Sequence, residues 1–220
     1  PPDNFALEEA LLLKEKRGEG EVVAVSMGPK RAQKVIREAL AKGAERGIHI
    51  EENDETEKDP LSASKAFASV LKEEQFDLIL TGLQSDDTGM GQTGVLIGEI
   101  LEMSTATLVI ETDHKDSSLR VKRELESGWF QWVELPLPAS ISIQSGLNTP
   151  RYPSLKGIMG AKKKEIKVFS YSDIQSGSKS QNIEKISLPE TTKKTEFIEG
   201  DAGEIVTRLV NILKNEIKVV

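Results

Sequence analysis

The chain has 220 residues, no cysteine, two histidines and a formal net charge of -7, a length that fits one α/β domain of about 150 residues plus further structure. Acid and base are mixed along it, which argues against a nucleic-acid partner; the missing cysteines exclude disulfide and thiolate chemistry, and His49 and His114 have no ligand spacing around them, so no metal site is expected. No apolar run approaches the roughly 18 residues of a membrane span and no signal peptide is visible, so the expectation is a protein that does not insert in membranes and works in the cytoplasm or a mitochondrial matrix.

Asp3 or Asn4 can cap a helix over 5–16, where Leu7, Ala10, Leu11 and Lys14 follow helical spacing and Gly18 and Gly20 close it. Residues 21–26 (EVVAVS) form a short apolar run of the kind a buried parallel strand shows, ending at Gly28 and Pro29. A helix follows over 31–42 with Val35, Ala39 and Leu40 facing inward, then Gly43 and a second strand over 47–50. The acidic run 51–59 reads as a solvated loop, and Pro60 with Ser62 starts a helix through Phe67, Val70 and Leu71. Further strands are expected at 77–81, 106–112 and 139–144, with a helix at 92–101. Residues 119–124 and 129–135 pair as a hairpin across Glu126, Ser127 and Gly128.

This alternation predicts an α/β fold: an open, mainly parallel sheet with right-handed crossovers and helices on both faces, plus an antiparallel hairpin at one edge. After Lys164 the pattern changes. Residues 165–171 read as one more strand, 176–182 and 191–194 as polar linkers, and 203–216 as a helix with Ile205, Leu209 and Ile212 on one face, widened by Val206, Val210 and Leu213. Linkers of this length are unusual inside a compact domain, so 165–220 is expected to be an arm that reaches another subunit, and 1–164 the α/β domain.

Residues 77–94 (DLILTGLQSDDTGMGQTG) read as strand, glycine-rich polar loop and helix start. In an open α/β sheet, ligands sit at the carboxyl ends of strands, and N–H groups at a helix N-terminus suit a phosphate. Gly82, Gly89, Gly91 and Gly94 allow close backbone approach, and Gln92 and Thr93 offer donors. The loop has no lysine and matches no phosphate-cleaving motif, while Asp86 and Asp87 would repel a triphosphate, so a monophosphate that is held and not cleaved fits best. A glycine-rich turn without a ligand is the structural alternative. Ser26, Met27 and Gly28 end the first strand on the same edge, where an adenine or ribose could rest. No nucleophile and base pair can be named, Glu124 and Glu126 read as exposed charge, and no catalytic residue is expected.

Residues 149–164 (TPRYPSLKGIMGAKKK) place Leu155, Ile158 and Met159 in a segment whose prolines, Pro150 and Pro153, argue against ordinary helix or central strand. An apolar residue on a stiff basic loop can anchor in a partner's pocket at little entropic cost. The other reading, a crossing loop whose leucine folds back on its own core, stays open on these residues.

PRYPSLKGIM with AKKK, together with NFALEEALLLKEK, VSMGP, ALAKGAERGI, residues 82–94, Arg123 to Leu125 and Gly128, resembles the electron transfer flavoprotein β-subunit family over nearly the whole chain. The resemblance implies a heterodimer in which the larger α subunit carries most of the FAD contacts, while the β subunit holds a buried AMP and docks flavoprotein dehydrogenases. It implies AMP contacts from Met27 on the adenosine side and from Gly82, Gln84, Ser85, Asp87, Gly91, Gln92 and Thr93 in the phosphate loop. It further implies dehydrogenase docking through Arg151, Tyr152, Leu155, Ile158 and Met159, and interaction of Glu124 with the mobile FAD domain. The loop does not resemble that of electron-bifurcating members, which hold a second FAD in place of AMP. The family begins with a strand and a polar loop ahead of the position of Pro1, and the expectation is that this N-terminus is missing. Two rival readings of the same fold are an adenine-nucleotide hydrolase and a homodimeric nucleotide-binding stress or signalling module.

Overall fold

Short β-branched runs separated by amphipathic helices give parallel strands, because each crossover helix must return the chain to the same end of the sheet. The computed structural model describes residues 2–53, 59–174, 180–181, 183–188 and 195–219. In chain order it has helix α1 (Pro2–Arg17), strand β1 (Val23–Gly28), a 3₁₀ turn (Lys30–Ala32), α2 (Gln33–Lys42), β2 (Arg46–Glu51), α3 (Pro60–Leu71), β3 (Leu78–Gly82), α4 (Thr93–Ile100) and β4 (Ser104–His114). The hairpin β5 (Ser118–Glu124) and β6 (Phe130–Pro136) follows, then β7 (Ala139–Ile143), α5 (Leu155–Ala161) and β8 (Ile166–Ser170). The protein is α/β with a mainly parallel, open sheet structure flanked by helices.

The strands pair in two groups. β1, β2 and β8 form a three-stranded parallel sheet in that order, and β3, β7, β4, β5 and β6 a five-stranded one whose last two pairings are antiparallel. The hairpin lies at the edge, as its sequence predicts. Among the described residues β1 and β3 each pair on one side only, a division that local sequence patterns do not carry. Residues 166–170, counted with the arm from sequence, pair with β2, so the first compact unit runs to residue 182.

Alternation along each strand assigns the faces. In β7, Ala139, Ile141 and Ile143 pack with Val109, Leu119, Val121, Leu135 and Ala6 on the α1 side, while Ser140 donates to the Gly94 carbonyl of α4 on the other. In β2, Ile48 and Ile50 join Val70 of α3, and Gly47 lies under Ile36 of α2, where a Cβ on the glycine would come within 2.4 Å of the Ile36 side chain. That contact corrects the predicted inward face of α2. Ile36 and Leu40 are buried and Val35 is 63% exposed, because the 3₁₀ turn at Lys30–Ala32 resets the helical phase before α2 begins. Burying each such aliphatic side chain contributes about 1.5 to 3 kcal/mol.

Pro150 and Pro153 do not prevent a helix here. Both precede Ser154, whose hydroxyl accepts the Gly157 N–H and caps α5, so the prolines stiffen the approach and leave the helix interior free. Asp59 caps α3 in the same way through Ser62 N–H, and its second oxygen accepts N–H groups from Ser180 and Gln181. Burial alone would push the Asp59 carboxyl up; these N–H groups outweigh it and hold the carboxyl well below its ordinary range. The remainder of the predicted linkers, 176–179, 182 and 191–194, and residues 54–58 of the acidic loop lie outside the described residues.

Residues 183–220 form a second unit. Its helix α6 (Ala202–Asn211) starts with a capping box in which Asp201 accepts from Gly203 and Glu204 N–H while Glu204 accepts from Asp201 N–H. It continues into a wider π-type turn, Ile212–Ile217, that ends at Lys218 in the left-handed region.

Candidate functional site

β3 delivers Thr81 and Gly82 to the carboxyl edge of the five-stranded sheet, and the chain then crosses a polar loop before α4 begins at Thr93. Gln84, Ser85, Asp87 and Gln92 are exposed, and Gly91 and Thr93 are half-buried. Gly89 and Gly91 adopt φ of +60° and +63°, the left-handed conformation that glycine takes without a Cβ penalty. The loop closes largely on itself. The hydroxyls of Ser85 and Thr88 are 3.0 Å apart, and Thr88 N–H donates to Asp87 Oδ1 at 2.6 Å. The Ser85 hydroxyl and Thr88 N–H hold the Asp87 carboxyl below its ordinary range, so it is turned to its own loop. At the loop entrance Gly82 N–H donates to Asp3 Oδ1 at 2.9 Å.

Two hydroxyls that sequence reasoning missed lie beneath this loop. Thr81 on β3 and Ser142 on β7 are register partners in a parallel pair and so point to the same face. Their oxygens are buried and have no hydrogen-bond partner among the described residues. Thr81 Oγ1 sits under the first turn of α4, so close that a Cβ on Gly94 would meet it at 2.3 Å. Among the described residues α4 has no side-chain cap, which leaves its first N–H groups for other acceptors. A threonine ending an apolar strand just before a glycine was the available signal.

Met27 and Gly28 end β1 in the three-stranded sheet. The Met27 side chain packs against the Ile48, Ile50 and Val70 cluster on the α3 side, and Gly28 turns the chain toward α2 at φ +151°.

The docking candidates stand on and before α5. Tyr152, Leu155 and Met159 are 95%, 82% and 72% exposed, and Ile158 is 44% exposed. Arg151 is engaged internally: its Nε and Nη2 donate to the buried Glu8 at 2.9 Å, its Nη1 to Glu15 at 2.6 Å, and its backbone N–H to Glu8 at 3.0 Å. Glu8 and Glu15 lie seven residues apart on one face of α1. These carboxylates, Glu15 first, push the Arg151 guanidinium further above its ordinary range. For Glu8, burial alone would push the carboxyl up, and Arg151 more than reverses that.

At its other end α5 exchanges cations with α2. Arg37 Nη1 donates to the carbonyls of Ala161 at 2.6 Å and Lys164 at 2.5 Å, and Lys164 Nζ donates to Leu40 O at 3.0 Å and Ala44 O at 2.5 Å. Each cation meets the carbonyl end of the other helix, where the helix dipole favours positive charge. Gly157 is required for this seating, since a Cβ there would lie 2.2 Å from Ala41 O.

Glu124 ends β5, where its Oε2 accepts from Gln144 Nε2 at 3.2 Å. That bond places it beside the carboxyl end of β7, ahead of the segment that leads to Arg151. Glu126 falls in a 3₁₀ turn, Glu126–Gly128, and not on a strand. His49 is buried on β2 and His114 lies by Arg17 on β4. Among the described residues no group of three or more His, Cys, Asp or Glu side chains could hold a metal ion, and no helix is long and apolar enough to cross a membrane.

Residues 1–174 match the family model described as electron transfer flavoprotein domain. Curated relatives named electron transfer flavoprotein subunit beta include one from Bacillus subtilis, 35% identical with 100% of this chain and 87% of the relative covered. Those from Dictyostelium discoideum and Homo sapiens are each 37% identical over 94% of this chain, with 81% and 82% of the relative covered.

Proposed function

The chain belongs to the electron transfer flavoprotein family, among its β subunits, and from that premise we propose that it is the docking half of a two-subunit electron carrier with no turnover of its own. It holds one AMP as a structural ligand, pairs with an α subunit that carries most of the FAD contacts, and offers the α5 face to flavoprotein dehydrogenases. FAD, when bound, supplies the redox chemistry. The residues of this chain bind, orient and space the partners. Of the residues 165–220 expected to form an arm, the second unit, 183–220, packs on the α subunit, and the complex works in the cytoplasm of a bacterium or the matrix of a mitochondrion.

The observation that carries the docking reading is the exposed Tyr152, Leu155 and Met159 on a segment tied to α1 and α2 at both ends. A solvent-facing anchor held this firmly loses little freedom on association. Ile158 and the cationic Lys156, Lys162 and Lys163 flank that anchor and suit an acidic partner surface. Glu124, at the hairpin end, is the contact for the mobile FAD domain.

The residues at the β3–α4 junction fit a nucleotide monophosphate. An uncapped helix start, two buried hydroxyls without partners and glycines at positive φ offer donors and close approach to an anion. Met27 and the backbone after β1 take the adenosine side.

Leu155→Ala tests the docking reading. Losing the buried leucine contact removes about 1.5 to 3 kcal/mol, a tenfold to hundredfold loss of affinity. Reduction of the complex by its dehydrogenase slows accordingly, while AMP and FAD content stay intact. Unchanged reduction kinetics reject the reading. Chromatography of the nucleotides released on denaturation tests AMP directly, and phosphate release from ATP would favour the hydrolase rival.

A further inference from the structure

His49 is a fully buried, 0% exposed side chain on β2 that none of the roles above uses. Its ring faces α2. Nε2 lies 3.0 Å from the carbonyl oxygen of Gly28, and Nδ1 lies 3.2 Å from Nε2 of Gln33. A carbonyl only accepts, so Nε2 carries the proton and donates. The neutral ring then presents Nδ1 as the acceptor for the Gln33 amide N–H. One chain of hydrogen bonds therefore runs from the first residue of α2, through β2, to the last residue of β1.

The Gly28 carbonyl receives a second N–H, from Glu52 at 3.0 Å. Both of its lone pairs are thus occupied, and the peptide that carries the chain from Gly28 into Pro29 has a fixed orientation. The same turn places Gly28 at φ +151°, where a Cβ would touch that of Ala32 at 3.4 Å, and Ala32 N–H closes back on Pro29 O at 2.7 Å. A buried imidazole costs free energy unless both nitrogens are satisfied. An aliphatic side chain would fill the space and leave the turn untied.

We infer that His49 is a positioning residue for nucleotide binding: through Nε2–H it fixes the Met27–Gly28–Pro29 turn in the shape that receives the adenosine half of the nucleotide. This rests on the nucleotide reading of the strand ends. The ligand class is an adenine nucleotide, and AMP is the probe. Pre-fixing the turn removes an ordering cost that binding would otherwise meet.

The test is titration calorimetry of AMP into the full chain, freed of bound nucleotide, for the wild type, His49→Phe and His49→Gln. The phenylalanine variant removes both hydrogen bonds. It should bind AMP about tenfold more weakly, the scale of one lost hydrogen bond in a binding site. The glutamine variant places an amide N–H near the position of Nε2–H and should recover most of that loss. Nitrogen-15 spectra of the wild-type ring need no variant and should show a single neutral form protonated at Nε2. AMP affinity unchanged in His49→Phe, an equal loss in His49→Gln, or a ring protonated at Nδ1 overturns the inference and leaves the nucleotide reading standing. A wild-type chain that binds no AMP overturns both.

Discussion

Two exposed, glycine-bearing segments follow strands at the same edge of the five-stranded sheet, and they are held in opposite ways. The stretch from Asn148 to Lys164 is tied outward to other elements: Asn148 donates to Phe5 O and Glu9, Arg151 to Glu8 and Glu15, and Arg37 and Lys164 exchange places between the ends of α5 and α2. Among the described residues, the loop from Gly82 to Gln92 makes its side-chain bonds within itself, apart from Asp3 at its entrance. The first has its shape before any partner arrives. The second leaves helix N–H groups and buried hydroxyls unanswered, and so has a shape that a ligand completes. A surface for a protein gains from being rigid beforehand, and a cradle for a small anion gains from donors kept in reserve.

The largest effect expected from breaking the contrast is that of Arg151→Ala. It strands the buried Glu8 carboxylate, at about 3 kcal/mol, and lowers the melting temperature by roughly 6 to 12 °C for a chain of this size. The Glu8 carboxyl is held below its ordinary 4.5 in the folded chain, so its contribution is whole above the unfolded value and is lost as pH falls through the folded one. In the variant, burial and the charge on Glu15 act on Glu8 without Arg151 to offset them, and acid relieves both. Urea melts at pH 7 and pH 3 should therefore show the gap between wild type and variant narrowing in acid; a constant gap would mean that the ion pair does not hold the segment. Next in size is Gly157→Ala. Its Cβ would fall 2.2 Å from Ala41 O, and moving α5 off α2 costs about 2 kcal/mol. Gly160→Ala is the control, because among the described residues nothing lies within 4 Å of the position of an added Cβ and alanine favours the helix by about 0.5 to 1 kcal/mol. If the two alanines shift the melting temperature alike, α5 is not seated as described.

Local signals in the sequence carried most of the elements. Apolar runs bounded by glycine placed the strands to within a residue or two, and the prolines of the 149–164 stretch offered an exposed leucine while leaving a core-facing one open. What escaped was long-range. Val35 was expected inside because periodicity gives a face but not its phase, which the short turn before α2 and the bare Gly47 decide. Arg151 was expected among the docking residues, and its engagement with α1 escaped because Glu8 and Glu15 are about 140 residues away in sequence. Thr81 and Ser142 went unnoticed for the same reason: two common hydroxyl residues acquire meaning only when β3 and β7 pair and α4 closes over them. The residue after Pro153 was read as loop because proline disfavours helix interiors; Ser154 turns the same proline into part of a helix entrance.

The smallest destabilisation, and the sharpest test of the contrast, is that of Gly91→Ala. Gly91 holds φ at +63° and the nearest atom to an added Cβ, Leu83 O, is at 3.6 Å, so the substitution meets backbone strain of about 1 to 2 kcal/mol and no clash. A loop bonded mainly to itself can relieve that strain by changing its own dihedrals, and the melting temperature should move by no more than about 2 to 4 °C. Relief changes the shape offered to the phosphate, so AMP affinity should fall by about fivefold or more in titration calorimetry. Loss of AMP binding with little loss of fold is the signature of a loop that its ligand completes. A melting shift as large as that of Gly157→Ala, or an affinity that does not change, would place the loop in the same class as the docking helix.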